Sequence, residues 1–163
     1  MSMTSSATTK VTLPSDTEIL ITREFDAPRD LVFKTMTDPN LIARWWGPRG
    51  QTTTVDKMDV RPGGAWRFVM GAPDGTTSAF RGEYREVVPP ERIVQTFEWE
   101  PMAGHISVET ATLTERDGRT LLTVRSKFSS KAERDGMVAS GMEDGLRETH
   151  DRFAELLAEL VKP

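Results

Sequence analysis

Between Gln51 and Phe128 one strand-like run follows another, and nothing between them is long enough to be a helix. This constrains the fold more than any other feature. Strands joined by short turns pair antiparallel, because parallel pairing needs a crossover of a dozen or more residues. Thr52-Thr53-Thr54-Val55 is rich in β-branched residues and extends toward Val60. Pro62-Gly63-Gly64 reads as a turn, and Ala65 to Met70 then alternates, with Trp66, Phe68 and Met70 on one face. Pro73-Asp74-Gly75 predicts another turn before a strand from Ser78 to Val88, which Pro89-Pro90 closes. Arg92 to Trp99 places Ile93, Gln95, Phe97 and Trp99 together. Past a loop from Pro101 to His105, strands Ile106–Thr114 and Leu121–Phe128 flank the hairpin signal Asp117-Gly118.

The two ends supply what this sheet packs against. Thr17 to Phe25 reads as a further strand with Ile19, Ile21, Arg23 and Phe25 on one side. Asp26-Ala27-Pro28 opens a short helix carrying Leu31 to Met36, and Asp38-Pro39 opens another that reaches Trp45-Trp46 and stops at Gly47-Pro48. From Ser130 onward the chain is helical. Ser130-Lys131-Ala132-Glu133 fits a capping box, and a kink is expected near Gly141 after a first turn or two. The long helix that follows carries a stripe of Met142, Leu146, Phe153, Leu157 and Leu160, with Thr149 inside it and His150 on its edge. A sheet of six or seven antiparallel strands has one face to bury, and the last helix has one stripe to bury. The predicted class is therefore α+β, a curved sheet wrapped around the C-terminal helix. Residues 1–15 are polar and aperiodic and read as a flexible leader to a single domain at 16–163.

Composition narrows the chemistry. There is no cysteine, which excludes disulfides and thiolate sites and fits a cytoplasmic setting. Two histidines far apart make zinc a poor expectation, so neither metal nor cofactor is anticipated. The net charge of −4, without a basic run, argues against nucleic acid. No apolar stretch reaches the ~20 residues of a membrane span. Phosphate loops, dinucleotide fingerprints and nucleophile elbows are missing from the sequence.

A set of local strings then points to a family. They are Phe25-Asp26-Ala27-Pro28, Asp38-Pro39, Trp45-Trp46-Gly47-Pro48, Arg61-Pro62-Gly63-Gly64, Pro73-Asp74-Gly75, Val88-Pro89-Pro90-Glu91-Arg92, Gly118-Arg119-Thr120 and Gly141-Met142-Glu143-Asp144-Gly145. With the order of elements, they resemble the helix-grip fold of the START-like (SRPBCC) superfamily. Within it they are similar to the branch named for the C-terminal domain of the activator of the heat-shock-protein-90 ATPase, in a stand-alone form. The resemblance implies a cavity between sheet and helix that takes an apolar or amphipathic small molecule, in a stress or detoxification setting. It also leaves room for a chaperone-accessory interaction module, or for a cyclase- or aromatase-like enzyme.

The cavity walls expected from the pattern are Trp46, Trp66, Phe68, Met70, Phe80, Phe97, Trp99, Met142, Leu146, His150 and Phe153; the same residues would also serve as plain core. Eight methionines and four tryptophans suit an adaptable interior. His150 is the one candidate acid or base, with a boundary histidine as the alternative; no catalytic residue is assigned. His105 reads as exposed. Asp56, Asp59, Glu83 and Glu98 read as solvated strand carboxylates unless one turns inward, where its pKa would rise. Arg67, Arg81, Arg85 and Arg125 read as an outer solvated face. Trp45-Trp46 reads as a hydrophobic corner, with a partner surface or a homodimer contact as alternatives.

Overall fold

The computed structural model describes residues 8–162. In chain order its elements are β1 (Lys10–Ser15), β2 (Glu18–Phe25), α1 (Arg29–Thr37), α2 (Pro39–Ile42), β3 (Thr52–Met58), β4 (Ala65–Gly71), β5 (Thr77–Val88), β6 (Arg92–Trp99), β7 (Ile106–Arg116), β8 (Arg119–Lys127), α3 (Lys131–Ala139) and α4 (Met142–Leu160). The strands form one antiparallel sheet in the order β1-β2-β8-β7-β6-β5-β4-β3. From β3 to β8 each strand pairs with its sequence neighbour. The β7–β8 turn is built on Asp117 and Gly118, both left-handed at φ 55° and 77°, the geometry an Asp-Gly hairpin favours. β2 then pairs with β8 from Glu18↔Lys127 to Phe25↔Thr120. Register breaks between Val55 and Lys57 and between Tyr84 and Glu86 bend the sheet.

The concave face holds the core. Phe25, Trp66, Phe68, Ile93, Leu113 and Leu122 meet Phe153, Leu156 and Leu157 of α4. Trp66 reaches across Gly82, where a Cβ would collide with the indole, and donates to Thr96 O at 3.2 Å. A second cluster joins Ile19, Ile21 and Phe128 to Val11, Met137, Met142 and Leu146.

Three expectations need correction. The leader at 1–15 contains strand β1: Val11 packs in the second cluster, Thr9 is buried, and Lys10↔Thr22 to Ser15↔Glu18 pairs it with β2. Pro14 is tolerated because an edge strand has N–H groups to spare. Residues 1–7 lie outside the described residues. Among the described residues the sheet has eight strands, not six or seven, and β1 is the addition. The helical tail is two helices rather than one kinked one, broken at Gly141, whose φ of 82° strains any residue with a Cβ. Ser130 caps α3 as expected, its hydroxyl accepting from Glu133 N–H at 3.1 Å. The Glu133 carboxylate takes the Ser129 hydroxyl instead of closing the box. Among the described residues no helix is long and apolar enough to cross a membrane.

Candidate functional site

Strand register decides which side chains share the concave face. On it one line runs Ile93–Ala111–Val124–Ile21 across β6, β7, β8 and β2, and is apolar throughout. The next line runs Tyr84–Gln95–Glu109–Ser126 across β5 to β8, and every residue on it is polar. Beyond it Phe97 lies opposite Ser107. Glu109 is surrounded by protein yet keeps some accessible surface. Burial pushes its carboxyl up to about 7, and the neighbouring Ser126 hydroxyl offsets this only in part. Among the described residues neither the Tyr84 hydroxyl nor the Gln95 amide has a side-chain hydrogen bond, and neither is sealed from solvent. Tyr84 is buried as a residue, and desolvation raises its pKa further.

A second polar group ties α4 to the sheet edge. His150 is 4% exposed; its Nδ1 lies 2.9 Å from Thr9 Oγ1, and its ring meets Phe25 edge-on. Arg23, 5% exposed, donates from Nη1 to Thr9 Oγ1 at 3.3 Å and to Asp151 Oδ1 at 2.9 Å. Burial, with the guanidinium adding to it, pushes the imidazole down to about 4. His150 is therefore neutral near pH 7 and a poor proton donor there.

The candidate wall residues divide. Trp66, Phe68 and Phe153 are sealed in the main core, with Trp46, Phe80 and Phe97 packed partly exposed against it. Trp46 meets both Phe68 and Phe80 edge-on at 5.1 Å, and Phe80 lies 5.6 Å from Phe97. Met70 is half-buried beside Gly47. Met142 and Leu146 belong to the second cluster, apart from the aromatic group, because the N-terminal half of α4 leans over β2 and β8. Trp99 is a correction. It is 39% exposed, and its indole N–H reaches Ser78 Oγ at 2.5 Å, since the end of β6 runs past the edge of the core. The Trp45-Trp46 corner is internal, Trp45 stacking on Phe153 at 4.0 Å and donating to Thr35 O.

A hollow of about 570 Å³ opens on the outer face rather than between sheet and helix, and of the expected walls it touches only Trp66. Its rim is ion-paired: Arg67 forks onto Glu100 at 2.7 and 2.9 Å, and Arg81 holds Glu98 at 2.9 Å. Hydrogen bonds from these guanidiniums keep both carboxylates below their usual range. Arg67, Arg81, Arg85 and Arg125 do form an outer, solvated face. Exposed His105 faces Glu133 at 3.4 Å. Among the described residues no group of three His, Cys, Asp or Glu could hold a metal.

Tyr84, Glu109 and Ser126 were missed in the sequence. The signal for Glu109 was its phase: Ser107, Glu109, Ala111 and Leu113 alternate against Val108, Thr110 and Thr112. The two apolar members of the first set mark it as inward.

A bent antiparallel sheet closed over a C-terminal helix, with short helices after the first long strand, defines the helix-grip class. The chain belongs to the Activator of Hsp90 ATPase homolog 1-like family, whose model matches residues 26–158. Among solved structures, a protein of Rhodobacter sphaeroides is 24% identical with TM-score 0.86, over 93% of this chain and 99% of that one. A protein of Arthrobacter aurescens is 27% identical with TM-score 0.85, over 92% and 91%. DynU16, a putative protein in the dynemicin biosynthetic locus, shares the fold at 23% identity and TM-score 0.69, over 89% of this chain and 48% of its own. No curated protein matches the sequence.

Proposed function

We propose that this chain binds a hydrophobic or amphipathic small molecule, without transforming it, between the concave face and the N-terminal half of α4. One observation carries the reading. The Tyr84, Gln95 and Glu109 side chains face inward, lack protein partners strong enough to satisfy them, and are not sealed. Polar groups that keep access to solvent on an otherwise apolar concave face mark a place where water, or a guest that displaces it, enters the interior. Around them Trp46, Phe80 and Phe97 keep accessible aromatic surface. The left-handed Gly141 gives α4 a joint at its start, so its N-terminal half, held by half-buried Met142 and Leu146, can yield to a guest. Apolar contact would supply the affinity, at roughly 25 cal/mol per Å² before ordering costs.

A thermal-shift panel of lipids, sterols and aromatic polyketides tests this. A guest at a hundred times its Kd stabilises by about 2.7 kcal/mol. Phe97→Ala and Leu146→Arg are expected to abolish that shift. If both variants keep the full stabilisation that every compound gives the parent protein, the site is elsewhere.

A further inference from the structure

The polar line on the concave face has a chemistry that selects its guest. Gln95 lies between Tyr84 and Glu109, and Glu109 lies between Gln95 and Ser126. Directly opposed side chains are about 5 Å apart at Cβ, which sets Gln95 and Glu109 side by side with Tyr84 and Ser126 flanking them. The line offers acceptors: a carboxylate, an amide oxygen and two hydroxyl oxygens. It offers no cation. Arg23, the buried guanidinium of this face, sits two lines away on β2 and is engaged by Asp151 and Thr9. From β6 and β8 the neighbours of Glu109 are Gln95 and Ser126. The inward stripe of α4, Met142, Leu146, Thr149 and Phe153, is uncharged, and His150 at its edge is neutral and bonded to Thr9. The carboxyl of Glu109 is held up near neutrality because the fold supplies no compensating charge. Phe97, on the adjacent line, continues through Phe80 to Trp46 as an aromatic wall.

Resting on the cavity reading above, we propose that this line binds the ammonium head of an amphipathic amine, with the apolar body against Trp46, Phe80 and Phe97. An ammonium has three N–H donors, which Glu109, Gln95 Oε1 and Tyr84 Oη can accept. It also gains from aromatic faces. A fatty acid would set carboxylate against carboxylate, and an alcohol would leave the charge of Glu109 unpaired.

Dodecylamine, 1-dodecanol and dodecanoate share one tail and differ only in the head. Their displacement of a neutral apolar fluorophore at pH 8, below micellar concentrations, reads the preference. The amine is expected to bind about ten-fold more tightly than the alcohol, with dodecanoate weakest; ten-fold corresponds to about 1.4 kcal/mol. Glu109→Gln is expected to remove most of the amine's advantage and to leave the alcohol within two-fold. Tyr84→Phe, which keeps the ring packed, should cost the amine several-fold. Dodecanoate binding as tightly as the amine, or an amine preference that survives in folded Glu109→Gln, overturns the proposal. Equal binding of all three heads overturns it while leaving the cavity reading intact; no binding by any of them overturns both.

Discussion

Thr9 Oγ1 stands between a guanidinium at 3.3 Å and an imidazole nitrogen at 2.9 Å, both on buried side chains. Neither neighbour has much alternative. Among the described residues Arg23 Nε is buried without a partner, and Nη1 otherwise reaches only Asp151, a half-exposed carboxylate. Removing the hydroxyl while keeping the shape isolates its contribution. Thr9→Val is expected to destabilise the protein by about 1–3 kcal/mol in urea unfolding, because it strands a donor on Arg23 and a ring nitrogen on His150. Thr9→Ser should recover most of the loss. Equal stability of the valine variant would mean that the two side chains rely on water rather than on Thr9. This arrangement also explains why His150 reads poorly from sequence. Its place at the edge of a helical stripe could be seen, but its partner lies 141 residues away in a stretch that looks like a loose leader.

Elements were legible where local chemistry decides them. Prolines and glycines marked the turns, β-branched and aromatic alternation marked seven strands, and Ser130 and Asp38 marked helix starts that their side chains do cap. β1 was not legible. A polar edge strand with a proline has no periodic signal of its own, and its order comes from pairing with β2 and from burying Thr9 and Val11. The split of the tail at Gly141 was half legible. A glycine marks a weak point, but whether the helix bends or breaks depends on where α3 packs, here with Met137 against Phe128 and Arg134 bonded to Ser15 O at the end of β1. That last contact couples β1 to α3. A chain beginning at Asp16 is therefore expected to lose roughly 2–4 kcal/mol, the sum of an edge ladder and two uncovered polar side chains. Comparing chains that begin at Thr8 and at Asp16 by chemical denaturation checks this. Matching midpoints would return residues 8–15 to the status of a leader.

For the molecule as a whole, the fold was readable because every local signal agreed with one layered solution, whereas the candidate site depends on register. Which inward carboxylate sits beside which hydroxyl is set by pairings between β5, β6, β7 and β8, and a one-residue slip would turn each to the outer face. The same placement gives the protein two buried titrations of opposite sign. Glu109 has its folded pKa raised from 4.5 to about 7, so its contribution to stability is present below about 4.5 and lost as pH rises toward 7. His150 has its folded pKa lowered from 6.5 to about 4, so its contribution is present above about 6.5 and lost as pH falls toward 4. Between about pH 4.5 and 6.5 the two slopes oppose one another. Each pKa moves by about 2.5, which is on the order of 3 kcal/mol, since one pKa unit is about 1.4 kcal/mol. Glu109→Gln exposes the histidine alone, so relative to the parent chain this variant should lose stability on acidification from pH 7 to 4.5. His150→Gln exposes the carboxyl alone and should gain stability over the same interval. Surface carboxylates held low by arginines, such as Glu98 and Glu100, titrate identically in all three proteins and cancel in the differences. Urea midpoints at pH 4.5, 5.5, 6.5 and 7.5 should therefore diverge in opposite directions for the two variants. Curves that stay parallel to the parent would show that water reaches both groups freely, and that the concave face is wetter than its packing requires.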